Sequence, residues 1–371
     1  MGSLLVLIGG INQAISQVPY ISSFDSSGLL VCTNLYPGSS AAVYASSSVA
    51  GPWYTMKGLN SITVASNETI QVNVPVGNQD VIFYRVLGVA AINPFNGMTA
   101  IPAGSFTMGD FTNMDGENDA LPTNVYVSAF YIDVNLVTWS QWQSVFSYAT
   151  NNGYTFTNFG AGKATNHPVQ TLDWYDAVKW CNARSQQAGL VPVYYTDAGL
   201  TQIYANGEAA PFVNWTNNGY RLPTEAEWEK AARGGLVGQR FPGGDTISES
   251  QANYDANTSL HNYDLGPYNG YNTNFDIGAQ PYTSPIGYFP ANGYGLNDMA
   301  GNVQEWCWDW YGTPYGLPTT NNPTGPGSGT DRVLRGGFWG FYAYYLRCAN
   351  RGYNGPSSSD DIMGFRCVKA P

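Results

Sequence analysis

Residues 219–235 read GYRLPTEAEWEKAARGG, and the order of residue types in that stretch specifies one short helix with two defined ends. Thr224 is the N-cap, Glu227 stands three residues on at the capping-box position, and Gly234-Gly235 supply the stop. Working upstream, Thr138 with Gln141 repeats the capping-box spacing ahead of apolar Trp142, Val145 and Phe146. Another helical run begins at Trp174, where Trp174, Ala177, Val178 and Cys181 fall at i, i+3, i+4 and i+7. That spacing turns Cys181 towards the core, and Gly189 ends the run after Ala188. Downstream of Gly235 no long helical pattern returns, and loops of Gly, Asn, Tyr and Pro lead to the C-terminus.

The chain has 371 residues, 15 Lys and Arg against 26 Asp and Glu, a net charge of -11, 15% aromatic and only 11% charged residues. That length exceeds one comfortable core, so two domains are expected, one of them small. Low charge with abundant aromatics is the opposite of a disordered composition. The acidic balance and the lack of any basic run argue against a nucleic-acid partner. Five cysteines, Cys32, Cys181, Cys307, Cys348 and Cys367, lack the close paired spacing of a zinc site. Either one or two disulfides form in an oxidising compartment, or all five are small buried apolar residues.

Residues 1–17 form an N-terminal segment whose apolar run (LLVLIGGINQAIS, 4–16) is too short to span a bilayer. It suits the remnant of a signal peptide, although no Lys or Arg precedes it. From Val18 to Val89 short β-branched and aromatic runs alternate with turns. Leu29 to Thr33, Ala42 to Tyr44, Trp53 to Met56, Ile62 to Val64, Ile70 to Val74 and Val81 to Val86 each suit a strand of a small all-β sandwich. Asn67-Glu68-Thr69 matches a glycosylation sequon. Ala90 to Gly97 reads as a linker.

Between Arg335-Gly336-Gly337 and Gly364-Phe365-Arg366-Cys367 the chain reads FWGFYAYYLRCANRGYNGPSSSDDIM. Phe338, Phe341, Tyr342, Tyr344, Tyr345 and Tyr353 are set among Gly340, Gly352, Gly355, Ser357, Ser358, Ser359, Asp360, Asp361 and Ile362. Tyr and Phe give stiff contact area, while Gly, Ser and Asp adapt their hydrogen bonding, which is the composition of antibody-type contact loops. The other reading is an aromatic core strand followed by a polar loop.

These motifs, together with Phe106-Thr107-Met108-Gly109, YGLNDMAGNVQEW from Tyr294 and RVLRGG from Arg332, resemble the formylglycine-generating enzyme (sulfatase-modifying factor) family over residues 98–369. The resemblance implies that family's form of the C-type lectin fold, a loop-rich α+β domain over 98–371, preceded by the small β domain. The family's two copper-binding cysteines lie between RGG and GFRC, where this chain has only Cys348. Its setting, Arg347-Cys348-Ala349-Asn350-Arg351, looks more like a downstream scaffold motif. One thiolate cannot make a two-sulfur copper site, so no copper and no oxidase activity are expected. An iron-dependent branch of the fold uses a histidine cluster, and this chain has only His167 and His261. The resemblance further implies a structural calcium, with Asp298 and Glu305 giving carboxylates and Gly301 and Val303 giving backbone carbonyls. In the alternative, Glu305 only bonds backbone amides. Asn253 matches part of a second such site, and Cys181 and Cys367 match a disulfide pair of the enzyme.

The C-terminal segment also resembles the variable region of proteins diversified by retroelements that mutate template adenines. Such positions become Phe, Tyr, Ser, Gly, Asp, Asn and others, but not Lys, Glu, Gln, Trp or Met. From Phe338 to Ile362 only Trp339 falls outside the reachable set, and Trp339, Arg347 and Met363 then look like fixed scaffold. The expected function is therefore non-enzymatic ligand binding, as in a phage receptor-binding tip or a cell-surface adhesin. The expected partner is a protein or glycan on a cell surface, with no membrane span. Its aromatics should be exposed and converge on one face, above Arg335, Trp339, Arg347, Phe365 and Arg366. The alternatives are an oxidase or divergent oxidoreductase of the family, and a structural pseudoenzyme of an extracellular assembly.

Overall fold

The computed structural model describes residues 20–24, 29–33, 40–46, 54–55, 62–63, 70–73, 83–89, 97–110, 118–317 and 319–371. The apolar segment 4–16, the sequon at Asn67 and the linker before Gly97 lie outside the described residues. The chain divides into two units, Met1–Asn96 and Gly97–Pro371.

In the first unit Tyr20–Phe24, Leu29–Thr33 and Ile70–Asn73 form one antiparallel sheet with Leu29–Thr33 in the middle. Ser40–Ser46 pairs with Tyr54–Thr55, Ile62–Thr63 and Phe83–Val89 in a second. The expected strands are thus present, with the last shifted towards Val89, and Tyr20–Phe24 is an addition.

The described residues of the second unit form three α-helices: α1 Trp139–Asn151, α2 Trp174–Gln187 and α3 Glu225–Ala232. Both capping boxes form as the residue spacing requires, Thr138 with Gln141 and Thr224 with Glu227. α1 and α2 meet through Trp142 and Trp180, stacked at 5.9 Å with the rings parallel to within 1°. Phe365 closes both rings edge-on at 6.1 and 5.3 Å. The two ends of the unit meet as well, because Phe130–Asp133 pairs with Met98–Ile101 on one side and Val368–Lys369 on the other.

The sheet that carries the C-terminal segment runs in the order Gly352–Asn354, Arg332–Arg335, Gln304–Trp310, Met363–Gly364. Its last pairing is parallel and the others antiparallel. Helix α3 lies fully buried beside this sheet, although three of its eight residues are glutamates. Burying an unpaired carboxylate is prohibitive, and each glutamate here has an arginine. Arg221 grips Glu227 through both nitrogens at 2.6 and 2.7 Å, and Arg351 grips Glu225 at 2.6 and 2.8 Å. Glu229 takes Arg233 at 2.7 Å and Arg335 from strand Arg332–Arg335. Arg332 is compensated differently, with its guanidinium 3.7 Å from the Trp174 ring centroid and 3.4 Å from that of Trp310.

Candidate functional site

Arg335-Gly336-Gly337 launches the C-terminal segment. Gly337 has φ +69°, and a Cβ there would meet Leu346 at 2.8 Å and the Tyr345 carbonyl at 3.0 Å, so the turn requires glycine. Buried arginines then fix the path of the backbone. Arg335 donates to the carbonyls of Cys348 (2.9 Å) and Asn350, and Arg347 Nε donates to the Tyr344 carbonyl at 2.7 Å. Backbone bonds from elsewhere in the chain hold the rest: Asp255 to Phe341 (3.0 Å), Trp174 to Pro356 (3.0 Å), Thr171 to Asp360 (2.9 Å) and Gln304 to Ile362 (2.8 Å).

On this frame the side chains separate by exposure. Tyr342, Tyr345 and Tyr353 are exposed at 39, 40 and 55%, with Ser357 and Asp360 also exposed. Phe338, Gly340, Phe341, Tyr344, Gly352, Gly355, Ser358, Ser359, Asp361 and Ile362 are half-buried. Trp339 and Arg347, at 4 and 2%, are buried, as are Arg335, Met363, Phe365 and Arg366. Ala343, Leu346, Cys348 and Arg351 are buried too, although their residue types belong to the reachable set.

The rings do not form one group. Phe338, Phe341 and Tyr345 follow one another at centroid distances of 4.1 and 4.5 Å, with Tyr344 at 5.2 Å from Tyr345. This group continues beyond the segment, from Tyr344 to His261 at 5.7 Å and through Trp339 to Tyr271 and Tyr282 at 5.5 and 5.1 Å. Tyr353 instead packs on Tyr311 at 4.2 Å, and the Tyr311 hydroxyl donates to Asp119 at 2.7 Å. The rings of the segment thus touch in two separate groups, one around Phe341 and Tyr345 and one at Tyr353. The ring contacts of His261, Tyr271 and Tyr282 with the segment were not anticipated, and their only signal was the density of tyrosine between Tyr254 and Tyr288.

The loop Asp298–Glu305 is tightly constrained. Asp298, Gly301 and Asn302 all have positive φ (55°, 78° and 65°), and a Cβ on Gly301 would lie 2.1 Å from the Asn253 carbonyl oxygen. Asp298 Oδ2 accepts the Gly287 amide at 2.9 Å, while its Oδ1 is buried without a hydrogen-bond partner. Burial raises the Asp298 pKa against the opposing pull of that amide and Arg366. Glu305 does not bond backbone amides as the alternative had it, because both its oxygens accept from Arg366, at 2.7 and 2.9 Å. Carboxylate oxygens are hard ligands that keep a second lone pair, and of these two carboxylates Asp298 has the oxygen left without a hydrogen bond while Glu305 is engaged by Arg366. No group of three or more His, Cys, Asp or Glu side chains among the described residues is placed to hold a metal ion, so a cation here depends on backbone oxygens.

Cys348 lies in the core cluster that also contains Cys307, Met108 and Val333. Burial pushes its thiol up to about 12, far from the thiolate that metal binding or nucleophilic chemistry needs. Cys181 and Cys367 are free thiols with their sulfurs 3.5 Å apart, both buried. His167 bonds the Thr283 hydroxyl at 2.9 Å, and His261 stacks on Tyr263 at 4.8 Å.

A family model described as sulfatase-modifying factor enzyme 1-like domain matches residues 85–371. Formylglycine-generating enzyme of Mus musculus is 34% identical over 286 residues, covering 73% of this chain and 74% of that protein. The serine/threonine-protein kinase pkn1 of Chlamydia caviae is 32% identical over 281 residues, and there the match spans 74% of this chain but 38% of the kinase. Among solved structures, Treponema denticola variable protein 1 aligns with a TM-score of 0.58 and 30% identity, over 74% of this chain and 95% of that one. The second unit has the α+β C-type lectin fold of the formylglycine-generating type. The chain belongs to the family of sulfatase-modifying factor enzyme 1-like domains.

Proposed function

We propose that the protein is a non-enzymatic ligand-binding protein, displaying residues 338–362 as a diversified surface on a fixed lectin-type scaffold. The observation that carries this reading is the division of the segment by exposure. Every position singled out for display is exposed or half-buried, while Trp339, Arg347 and Met363, the residues read as fixed, are buried, and Arg347 grips the backbone. The similarity to Treponema denticola variable protein 1 supports it. Presentation on a cell surface or virion is the natural setting, with a surface protein or glycan as partner. A structural calcium ion held at Asp298, Glu305 and the carbonyls of Gly301 and Val303 belongs to the same proposal, and copper does not.

The competing reading, an oxidase like the curated formylglycine-generating enzymes, needs a second thiolate beside Cys348. Cys307 shares its core cluster, yet burial raises that thiol as well. Incubating the copper-loaded protein with a cysteine-containing sulfatase peptide decides between the two. Unmodified peptide is expected, and formation of formylglycine would overturn the non-enzymatic reading.

A further inference from the structure

Residues 355–361 hang between two fixed points of the sheet. Gly352–Asn354 pairs with Arg332–Arg335 on one side; on the other, Ile362 accepts the Gln304 amide and Met363–Gly364 pairs with Gln304–Trp310. Among the described residues, the hydrogen bonds that leave 355–361 for the rest of the unit run to one place, the start of α2 and its surroundings. The Trp174 amide, an orphan donor at the helix N-terminus, is satisfied by the Pro356 carbonyl at 3.0 Å, and the Thr171 amide by the Asp360 carbonyl at 2.9 Å. Thr171 is held at φ +59°, a conformation that a β-branched residue rarely adopts. The third bond runs from Ser357 Oγ to Glu208 Oε2, at 3.2 Å.

These three bonds surround a group of carboxylates. Asp173 and Asp176 are buried, and one side-chain nitrogen, Asn158 Nδ2, donates to both, at 3.1 and 2.9 Å. Asp176 is pinned by Lys179 at 3.2 Å and by the amides of Thr157 and Asn158. Glu208 is exposed, and its partners are two hydroxyls, those of Thr157 and Ser357. Tyr175 and Tyr204 also face Asp173, with Arg332 acting on Tyr175, while Asp360 and Asp361 in the segment act on each other. Burial, then the charge of Asp176, raise the Asp173 pKa to about 7, with Glu208 adding to the rise. Once Asp173 ionises, three carboxylates share the one ammonium of Lys179, and Glu208, held only by hydroxyls, is the one that can swing away and drop Ser357. We propose that residues 355–361 are a pH-sensitive flap, latched on the start of α2 while Asp173 holds a proton and released as Asp173 ionises. The inference rests on the display reading and gives that surface a regulation: Ser357, Ser358, Ser359, Asp360 and Asp361 form one fixed contact surface in mildly acidic surroundings and an adaptable loop in mildly alkaline ones.

Hydrogen exchange of the Thr171 and Trp174 amides in the full chain, corrected for the intrinsic rate, tests the flap without any ligand. Protection of both should fall at least about tenfold from about pH 5 to about pH 8, since one linked proton changes an opening equilibrium by up to about tenfold per pH unit. At the higher pH their exchange should be insensitive to low denaturant, the mark of a local opening that exposes little surface. Asp173→Asn should keep its protection at both pH values, and Glu208→Gln, at an exposed position, should reduce the fall. Protection that does not change with pH in the parent would overturn the proposal, as would a fall that persists undiminished in either variant. So would exchange that denaturant accelerates as much as that of the Trp142 amide in α1, because the opening would then be global unfolding. None of these failures touches the display reading, which rests on the exposure of the segment and not on how 355–361 is held.

Discussion

Asp173 heads α2, where its Oδ1 accepts the Asp176 amide at 2.8 Å and its Oδ2 accepts the Asn158 side-chain amide at 3.1 Å. Burial, then the charge of Asp176, push its pKa up to about 7, with Glu208 adding to the rise and Lys179 opposing it. The folded pKa thus exceeds the unfolded value of about 3.9. Its contribution to stability is full below the unfolded pKa and is lost as pH rises through about 7. Asp173→Asn keeps a good cap and removes the titration. The variant should gain stability relative to the parent between about pH 5 and about pH 8, as read by denaturant unfolding at both. A difference that stays constant with pH would show that Asp173 does not titrate there. At this scale Trp339, which is buried, was legible as scaffold because its type alone interrupts a run of substitutable residue types, whereas Arg347 was marked only by the resemblance. The state of Asp173 was not legible, since its burial comes from packing.

Helix α3 joins local and distant chemistry. Its boundaries could be read from Thr224, Glu227 and Gly234-Gly235, because capping is decided within a few residues. What its glutamates do could not be read, because Glu225 meets Arg351 and Glu229 meets Arg335 more than a hundred positions away. The two kinds of interaction should differ in size. Thr224→Ala removes one cap and should cost about 1 kcal/mol. Glu229→Gln leaves Arg233 and Arg335 buried with one carboxylate fewer and should cost about 3–5 kcal/mol. Denaturant unfolding of both variants checks the order, and equal costs would mean that the ion-pair network is not what holds α3 against the sheet. Residues 338–362 show the same limit, because their two ring groups depend on Tyr311, His261 and Tyr271 from elsewhere in the chain.

For the whole molecule, the motifs carried the fold of residues 97–371 because they are spread through it in order and each is a structural joint. The loop Asp298–Glu305 was legible only as a pattern, and the Arg366–Glu305 pair that shares it was not. If calcium binds there, chelation should lower the melting temperature, by the equivalent of about 2.7 kcal/mol when free ion had been about a hundredfold above its dissociation constant. Metal analysis of the chelated protein completes that test: a calcium-free protein with unchanged melting would remove the ion from the account. The central claim is that residues 338–362 are a surface carried by a scaffold, and thermal melting of four single variants measures it most directly. Tyr342→Ser, Tyr345→Ser and Tyr353→Ser should each change stability by less than about 1 kcal/mol, whereas Trp339→Ala should cost roughly 3–5 kcal/mol. Losses of that larger size in all three tyrosine variants would make the segment core and contradict the account.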